Sequence, residues 1–375
     1  MTSTSKPIIT LLLLVALAAP LSAQKANSAA ATTTAANTPL RCKAPAYLRP
    51  GNKVALVSPS YAVSSERITQ AAEVLRQWGF VPVTGAYAGE SYLGPYAGTD
   101  KERLTDLRWA LRDTAIKAIF CNRGGYGAIH YYGLLRANEL SENPKWIIGF
   151  SDITTLLCME NSAGVMGIHA VIAAHLGATG GNDPSSTLVR DMLTGTLPRY
   201  ELPDHPLSRK GKATGILLGG NLSTFVALLG SDNDCLRNQD IILFIEEVGE
   251  SLHHIDRMIN ILKIHGVWSR CKGVILGNFS EVNADLGYGS AEALFCSYLS
   301  RYKIPILCGF PAGHCKLNLP LVMGAPVTLD VRNDGATLTF NMEGNTQTID
   351  TKLIADTLKY RQQPQPRKKK TTRRR

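Results

Sequence analysis

The chain has 375 residues, of which 45% are hydrophobic and 7% aromatic, and its formal net charge at pH 7 is +10. This composition excludes a wholly disordered or fibrous chain and indicates a globular protein with room for two domains. Seven lysines and arginines lie within residues 367–375, so only three of the ten net positive charges belong to the rest of the chain. We interpret residues 351–375 as a basic disordered tail, with a site for anionic polymer or membrane as the alternative. Nucleic-acid binding is not implied.

The N-terminus has the layout of a secretory signal peptide. Residues 1–23 start with a weakly basic stretch, continue through the apolar run IITLLLLVALAAPL and end at Ser22 and Ala23. An uncleaved anchor is the alternative, but the apolar run is shorter than the roughly 20 residues that a spanning helix needs. We therefore predict a cleaved signal peptide, a flexible spacer over residues 24–44, and a periplasmic or secreted protein without stable membrane insertion.

Eight cysteines are scattered along the chain without the CxxC spacing of zinc or redox motifs. Cys121 and Cys308 lie inside apolar, strand-like runs. We expect most cysteines to be buried as small hydrophobic residues. The sequence does not decide whether one pair forms a disulfide bridge, and we expect no metal site.

From about residue 45, short apolar runs alternate with amphipathic runs of helical period. The first five are NKVALVSPS, ERITQAAEVLRQWGF, VPVTGA, DKERLTDLRWALRD and IKAIFCN. This alternation predicts an α/β fold with a parallel sheet covered by helices. We predict a flavodoxin- or Rossmann-like domain over residues 45–180, a turn-rich linker over 181–212 and a mixed α/β domain over 213–350, with the active site at the domain interface.

Three of the strand-like runs lead to polar residues that could carry chemistry. WIIGF leads to Ser151, IILFI to Glu246, and IPILCGF followed by PAG to His314. In open α/β sheets, functional side chains lie just beyond the C-terminal ends of the strands. A serine becomes a strong nucleophile when a histidine held by a carboxylate removes its proton, so the three residues are compatible with acyl transfer.

Each of these residues also has a structural interpretation. Ser151 could be the N-cap of a helix that starts at Asp152. Glu246 could be exposed where its strand emerges, although five apolar residues precede it. Composition does not favour His314 over the other candidate histidines, namely His169, His175, His253 and His254.

The run CNRGGYGAIHYYGLL has three glycines between a predicted strand and a predicted helix. Glycines there let the backbone turn sharply and direct N–H groups at an anion. The run lacks GxGxxG spacing and the lysine of a phosphate loop, so an oxyanion-binding turn beside a serine is the functional interpretation and a plain tight turn the alternative.

Taken together, several motifs resemble those of the LD-carboxypeptidases, which include the murein tetrapeptide carboxypeptidases and, as relatives, the microcin C self-immunity peptidases. The resemblance runs over roughly residues 45–345. Its motifs are RGGYGA (123–128), GFSDITTLL (149–157), GGNLSTFVALLGS (219–231), LFIEEVGESLHHIDRMINIL (243–262), GVILGNFS (273–280) and GFPAGHCKLNLPLVMGAPVTL (309–329).

The resemblance implies a role for each matching residue. Ser151 is the expected nucleophile, His314 the base and Glu246 the acid that orients it. The backbone N–H groups of Gly125 and Asp152 are expected to form the oxyanion hole. Arg123, Gly124 and Asn221 are expected to contact substrate, and neither a metal nor a cofactor is expected.

The expected activity is release of the terminal D-alanine from peptidoglycan stem tetrapeptides. The expected partner is therefore a peptide substrate, and the sequence does not decide whether the protein is a homodimer. The alternatives are an amidase for microcin-type peptidyl nucleotides and a wall-binding protein with an inactive site. Two departures stand out. His169 is followed by Ala170 and Val171, where many relatives have glycine and proline, and the best-known tetrapeptide enzymes work in the cytoplasm, whereas this chain has an export signal.

Overall fold

Strands and helices alternate along the chain and form two sheets. The computed structural model describes residues 41–237 and 239–362. The strands are β1 (Lys53–Val57), β2 (Val81–Thr84), β3 (Ile116–Cys121), β4 (Trp146–Gly149), β5 (Gly167–His169), β6 (Thr196–Leu202), β7 (Gly211–Asn221), β8 (Ile241–Val248), β9 (Cys271–Ser280), β10 (Ile306–Leu307), β11 (Leu321–Met323), β12 (Pro326–Val331), β13 (Ala336–Phe340) and β14 (Asn345–Asp350). The α-helices are α1 (Ser65–Gln77), α2 (Asp100–Arg112), α3 (Ala137–Ser141), α4 (Thr154–Ser162), α5 (Ala173–Thr179), α6 (Pro184–Leu193), α7 (Leu222–Val226), α8 (Leu252–Ile264), α9 (Val267–Arg270), α10 (Ala291–Tyr298) and α11 (Thr351–Gln362). Within these residues, no helix combines the length and the apolar character that crossing a bilayer requires.

The first sheet comes almost entirely from the N-terminal half of the chain. Its order is β11-β5-β4-β3-β1-β2, and β1 to β5 are all parallel. Strands β1, β3 and β4 are buried along nearly their whole length, as expected for parallel strands covered on both faces. Helix α1 starts at the cap residue Ser64, and α2 starts at a capping box formed by Thr99 and Glu102. The predicted α/β class with a parallel N-terminal sheet is confirmed.

The second sheet is mixed, with the order β10-β9-β8-β7-β12-β13-β6-β14. Strands β7 to β10 are parallel, whereas β12 is antiparallel to β7 and to β13. The central strand β8 is buried on both faces. Ile242 and Phe244 contact the core shared with the first sheet, and Leu243 and Ile245 contact the core under α8 and α10. The mixed α/β character predicted for the C-terminal half is confirmed.

One segment carries the chain from the second sheet to the first. It follows β10 and ends at β11, where Leu321 pairs antiparallel with His169 of β5. The hydroxyl of Tyr200 in β6 donates a hydrogen bond to the carbonyl oxygen of Pro320 at 2.7 Å and fixes the end of this crossing. Residues 308–320 form this crossing segment. Because the crossing segment joins the two sheets, a side chain on it can contact strands of both.

The segments predicted outside the two domains are partly ordered. Lys43, near the end of the predicted spacer, donates its N–H to the oxygen of Gly164 at 2.8 Å and accepts from the N–H of Met166 at 3.0 Å. The predicted linker, residues 181–212, contains α6 and β6. A division into two domains at this segment stays a prediction.

The prediction of a disordered tail from residue 351 onward is wrong for the first part of that tail. Residues Thr351–Gln362 form α11 directly after β14. The hydroxyl of Thr351 donates to the oxygen of Glu201 at 3.0 Å, and Ile354 packs against the core, which the charge run did not reveal. The predicted signal peptide, residues 24–40 of the spacer and residues 363–375 of the tail lie outside the described residues.

The pairing of β7 with β8 requires a glycine at position 219. Its φ is +116°, and a Cβ atom there would lie 2.0 Å from the carbonyl oxygen of Phe244. We expect Gly219→Ala to lower the free energy of unfolding by at least about 3 kcal/mol, because backbone must move to relieve the clash. Gly51→Ala, with φ +83° and open space around the new methyl group, is the matched control and should cost about 1 kcal/mol. Equal losses in urea unfolding would show that backbone conformation alone sets the requirement.

Candidate active site

Ser151 lies at a sharp turn between β4 and α4. Its φ is +64°, in the left-handed region that non-glycine residues adopt at a cost of about 1–2 kcal/mol. It begins a short 3₁₀ turn over Ser151–Ile153, and α4 follows from Thr154. Its hydroxyl makes no capping bond to this helix and instead lies 3.1 Å from Nε2 of His314. The interpretation of Ser151 as a helix cap is therefore wrong.

Glu246 lies on the face of β8 that is directed at the first sheet, and its side chain is fully buried. Its Oε2 atom lies 2.7 Å from Nδ1 of His314. The alternative of an exposed acid at the end of the strand is wrong. Since an ionised carboxylate can only accept, Nδ1 of the neutral imidazole carries the proton and Nε2 is free to accept from the Ser151 hydroxyl.

His314 is held on the crossing segment by its neighbours. The N–H of Gly313 donates to Oδ1 of Asn318 at 2.9 Å, and Nδ2 of Asn278 donates to the carbonyl oxygen of His314 at 3.0 Å. Gly313 has φ +106°, and a Cβ atom there would lie 2.6 Å from Oε2 of Glu246. Only a glycine before the histidine lets the backbone pass this close to the carboxylate.

The electrostatic surroundings favour a charged imidazole at position 314. Burial acts to lower the pKa of His314, but the hydrogen bond to Glu246 and the negative charge of that carboxylate outweigh it. The pKa of His314 is therefore raised above its ordinary value of 6.5. The arrangement can take a proton from a serine hydroxyl and stabilise the resulting imidazolium.

The glycine run predicted to bind an anion lies directly beside Ser151. A Cβ atom on Gly124 would lie 3.0 Å from Cβ of Ser151, and one on Gly125, where φ is +118°, would lie 2.3 Å from the ring of Tyr61. The backbone is thus pressed between Tyr61 and the serine. Arg123 is exposed, donates from Nη1 to the oxygen of Ala62 at 3.2 Å, and has its guanidinium 5.8 Å from the Tyr61 ring centroid.

The side chain of Asp152 has a structural role next to Ser151. Its Oδ2 accepts from the Ser60 hydroxyl at 2.6 Å and from the N–H of Ala128 at 2.9 Å. Burial raises the pKa of Asp152, and these hydrogen bonds oppose the rise. Its carboxylate therefore ties together three loops, while its backbone N–H remains the predicted oxyanion donor. A cavity of about 290 Å³ next to it is lined by Tyr126, Ile129, Asp152, Thr155, Ser223, Thr224 and Ala227.

Asn221 is buried and engaged within the protein. Its Oδ1 accepts from the N–H of Thr224 at 3.3 Å and so caps α7, and its Nδ2 donates to Oε1 of Glu247 at 2.8 Å. The predicted contact of Asn221 with substrate stays a prediction. The structure places Gly124 next to Ser151, with Gly125 the following residue, and Asp152 directly after the serine, but it gives the Asn221 side chain partners inside the fold.

The sequence did not single out an aromatic contact beside the imidazole. The ring of Phe150 lies 4.9 Å from His314, and His169 lies 5.9 Å from Phe150 and 4.9 Å from Phe244. His169 is fully buried, and burial lowers its pKa to about 4, so it is neutral. Phe150 could have been found as the neighbour of Ser151, whereas the contact of His169 depends on how the two sheets pack.

The remaining candidate histidines are partly exposed, as His175 is, or exposed, as His253 and His254 are. They pair with acidic side chains as follows: His175 with Asp183, His253 with Asp285 and His254 with Glu250. Among residues 41–237 and 239–362, no group of three or more histidine, cysteine, aspartate or glutamate side chains comes together as a metal site.

Known proteins resemble this chain over most of its folded part. Residues 54–170 match the family model of the LD-carboxypeptidase N-terminal domain, and residues 214–329 match that of the C-terminal domain. A protein of Synechocystis sp. assigned as a carboxypeptidase is 33% identical, covering 79% of this chain and 96% of that protein. The murein tetrapeptide carboxypeptidase of Pseudomonas aeruginosa is 29% identical, covering 74% and 93%.

A solved structure shares the fold. The crystal structure of muramoyltetrapeptide carboxypeptidase from Oxalobacter formigenes superposes with a TM-score of 0.70 at 23% identity, covering 78% of this chain and all of that one. The residues that match the first family model include Ser151, and those that match the second include Glu246 and His314. The resemblance noted in the sequence is confirmed, and the chain belongs to the LD-carboxypeptidase family of serine-type hydrolases.

Proposed function

We propose that this protein is a serine carboxypeptidase that releases the C-terminal D-alanine from peptidoglycan stem tetrapeptides. The hydrogen-bonded series Ser151, His314 and Glu246, with distances of 3.1 and 2.7 Å, carries the proposal. The substrate class is supported by the relative from Pseudomonas aeruginosa, whose name is murein tetrapeptide carboxypeptidase.

The proposed reaction begins with attack of Ser151 Oγ on the carbonyl carbon before the terminal D-alanine. As the new C–O bond forms, the hydroxyl proton moves to Nε2 of His314, and Glu246 stabilises the imidazolium. The C–N bond then breaks, and the proton on Nε2 passes to the amine of the departing D-alanine. Water, deprotonated by His314, hydrolyses the acyl-enzyme and restores the serine.

The negative charge on the carbonyl oxygen would be met by backbone N–H groups of Gly125 and Asp152. Support comes from the glycine run, which leaves no room for a Cβ atom between Gly124 and the serine, and from the position of Asp152 in the first turn after β4. N–H groups held in this way need no reorganisation when charge develops, which is why oxyanion holes contribute strongly to catalysis.

Arg123 is proposed to bind the terminal carboxylate that a carboxypeptidase must recognise. It is the second residue after β3 and precedes Gly124, where a Cβ atom would lie 3.0 Å from Cβ of Ser151. Of its five N–H donors, one serves Ala62 in the described part of the chain, and Tyr61 supports the guanidinium plane. An arginine can hold a carboxylate through two parallel hydrogen bonds, which would fix the scissile bond at the serine.

Export of the protein is also a proposal, supported by the signal-like residues 1–23. It would place the enzyme where stem peptides are still attached to the wall.

Ser151→Ala is expected to lower kcat/KM for D-alanine release from a purified murein tetrapeptide by at least about 10⁴-fold, because no other nucleophile replaces the hydroxyl. Free D-alanine is followed by mass spectrometry. Ser141→Ala, at an exposed serine of α3, is the matched control and should retain full activity. Undiminished release by the Ser151 variant would exclude the mechanism, and no release by the wild type would exclude the substrate.

The pH profile should report the Glu246–His314 pair. Since the neutral imidazole is the base, kcat/KM rises with pH through the raised pKa of His314, so the acidic limb lies above pH 6.5. Glu246→Gln removes the charge that raises this pKa, so the limb should move to lower pH while the plateau falls by about 10³–10⁴-fold. Glu66→Gln, at an exposed acid of α1, should leave the limb in place. A limb that Glu246→Gln does not move would argue against the pair.

Arg123→Ala is expected to lower kcat/KM for the tetrapeptide by roughly 10–100-fold, the usual worth of a charged hydrogen bond, chiefly through KM. The control is the same peptide with its C-terminal carboxylate converted to an amide. Wild type should already cleave that peptide poorly, and the variant should cleave it no worse. Equal losses on both peptides would show that Arg123 does not bind the carboxylate.

A further inference from the structure

Two of the eight cysteines lie side by side at the start of the crossing segment, which also contains His314. Cys296 is on α10 and Cys308 follows β10, and their sulfur atoms are 3.7 Å apart. Cys308 is buried, whereas Cys296 is only half-buried. A disulfide has a sulfur–sulfur distance of about 2.05 Å, so the two atoms are less than about 2 Å from bonding distance.

The two thiols differ in their surroundings. The side chain of Arg209 donates to the carbonyl oxygens of Ile304 at 2.7 Å and Leu299 at 2.9 Å, and its Nη2 atom is buried without a hydrogen-bond partner in the described residues. The Cys308 thiol and the charge of Arg209 hold the pKa of the Cys296 thiol below its usual value, although burial acts against this. The hydrogen bond shared with Cys296, in which the Cys308 thiol is the donor once Cys296 is a thiolate, and burial raise the pKa of Cys308. Cys296 is thus both the more accessible sulfur and the better thiolate.

We infer that Cys296 and Cys308 form a thiol-oxidation site, at which a disulfide-class oxidant converts the adjacent thiols into an intramolecular disulfide. The thiolate of Cys296 attacks one sulfur of the oxidant and releases the other as a thiolate. The thiolate of Cys308 then attacks Sγ of Cys296 and expels the second half of the oxidant. Two protons and two electrons leave the pair, and the oxidant is reduced to two thiols.

The bond would fasten the start of the crossing segment to α10. The two cysteines are 12 residues apart, and Cys308 precedes His314 by six residues. The neighbouring Gly309 has φ +74°, and a Cβ atom there would lie 3.2 Å from the ring of His205, while the N–H of Cys308 donates to the hydroxyl of Ser208 at 3.0 Å. A cross-link here limits opening of the segment that positions the imidazole, and it does not touch the reacting atoms. The inference is independent of the substrate proposed above.

The test uses the full chain in the variant Cys315→Ser, because a tryptic peptide over residues 304–316 otherwise contains both Cys308 and Cys315. The folded protein is incubated with oxidised glutathione, quenched with acid, denatured, alkylated and digested. Mass spectrometry should show peptides 273–301 and 304–316 joined, with a mass lower by two hydrogens than the sum of the free peptides. Thermal unfolding should show a midpoint a few degrees higher after oxidation than after reduction.

The double variant Cys296→Ser, Cys315→Ser is the matched control, in which Cys308 should be alkylated and oxidised glutathione should leave the midpoint unchanged. Glutathione retained on Cys296 with Cys308 alkylated would overturn the inference. So would alkylation of both cysteines after oxidation, or a joined peptide pair that contains any other cysteine.

Discussion

A carboxylate with no access to water is the constraint on which the site depends. Glu246 is 0% exposed in the middle of two packed sheets, and an unpaired charge there would cost several kcal/mol. Its Oε2 is satisfied by the imidazole of His314, and that bond determines the ring orientation and the nitrogen that faces Ser151. Removing either partner would leave the other unsatisfied in the interior, so the pair links stability to chemistry.

The geometry around this pair is permitted by small residues and a strained turn. Gly277 and Gly313 flank the carboxylate, where a Cβ atom would come within 3.2 Å and 2.7 Å, respectively, of Cβ of Glu246. Ser151 is held with a positive φ on the other side of the imidazole. Since the three hydrogen-bonded residues come from the turn after β4, from β8 and from the crossing segment, they meet only when both sheets are formed. The energy of packing two cores thus supports one unfavourable backbone conformation.

The sequence pattern predicted those features that depend on neighbouring residues along the chain. Alternating apolar and amphipathic runs predicted the strands, and Ser151 and His314 could be predicted because each follows a strand and matches a family motif. The engagement of Asn221 with α7 and Glu247 could not, since a side chain that caps a helix and one that meets a ligand have the same sequence signal. The pairing of β11 with β5 joins residues about 150 positions apart, and three apolar residues contain no information about such a partner. The contact of His169 with Phe244 joins strands of different sheets and was hidden for the same reason.

The adjacent acids Glu246 and Glu247 point to opposite faces of β8 and have different partners. Side chains alternate along β8, so Glu246 faces His314 while Glu247 faces α7, where Oε2 accepts from the N–H of Ser223 at 2.7 Å and Oε1 from Asn221 at 2.8 Å. Both carboxylates are buried, but only Glu247 has donors at both oxygens; Glu246 accepts from His314 at Oε2, and its Oε1 has no partner among the described residues. Burial raises the pKa of Glu247, with a smaller push from Glu246, while the charge of Glu247 adds to the field that raises the pKa of His314. The charge of Glu247, which accepts from the first turn of α7, therefore adds to the effect of Glu246 on the imidazole from the opposite face of the sheet.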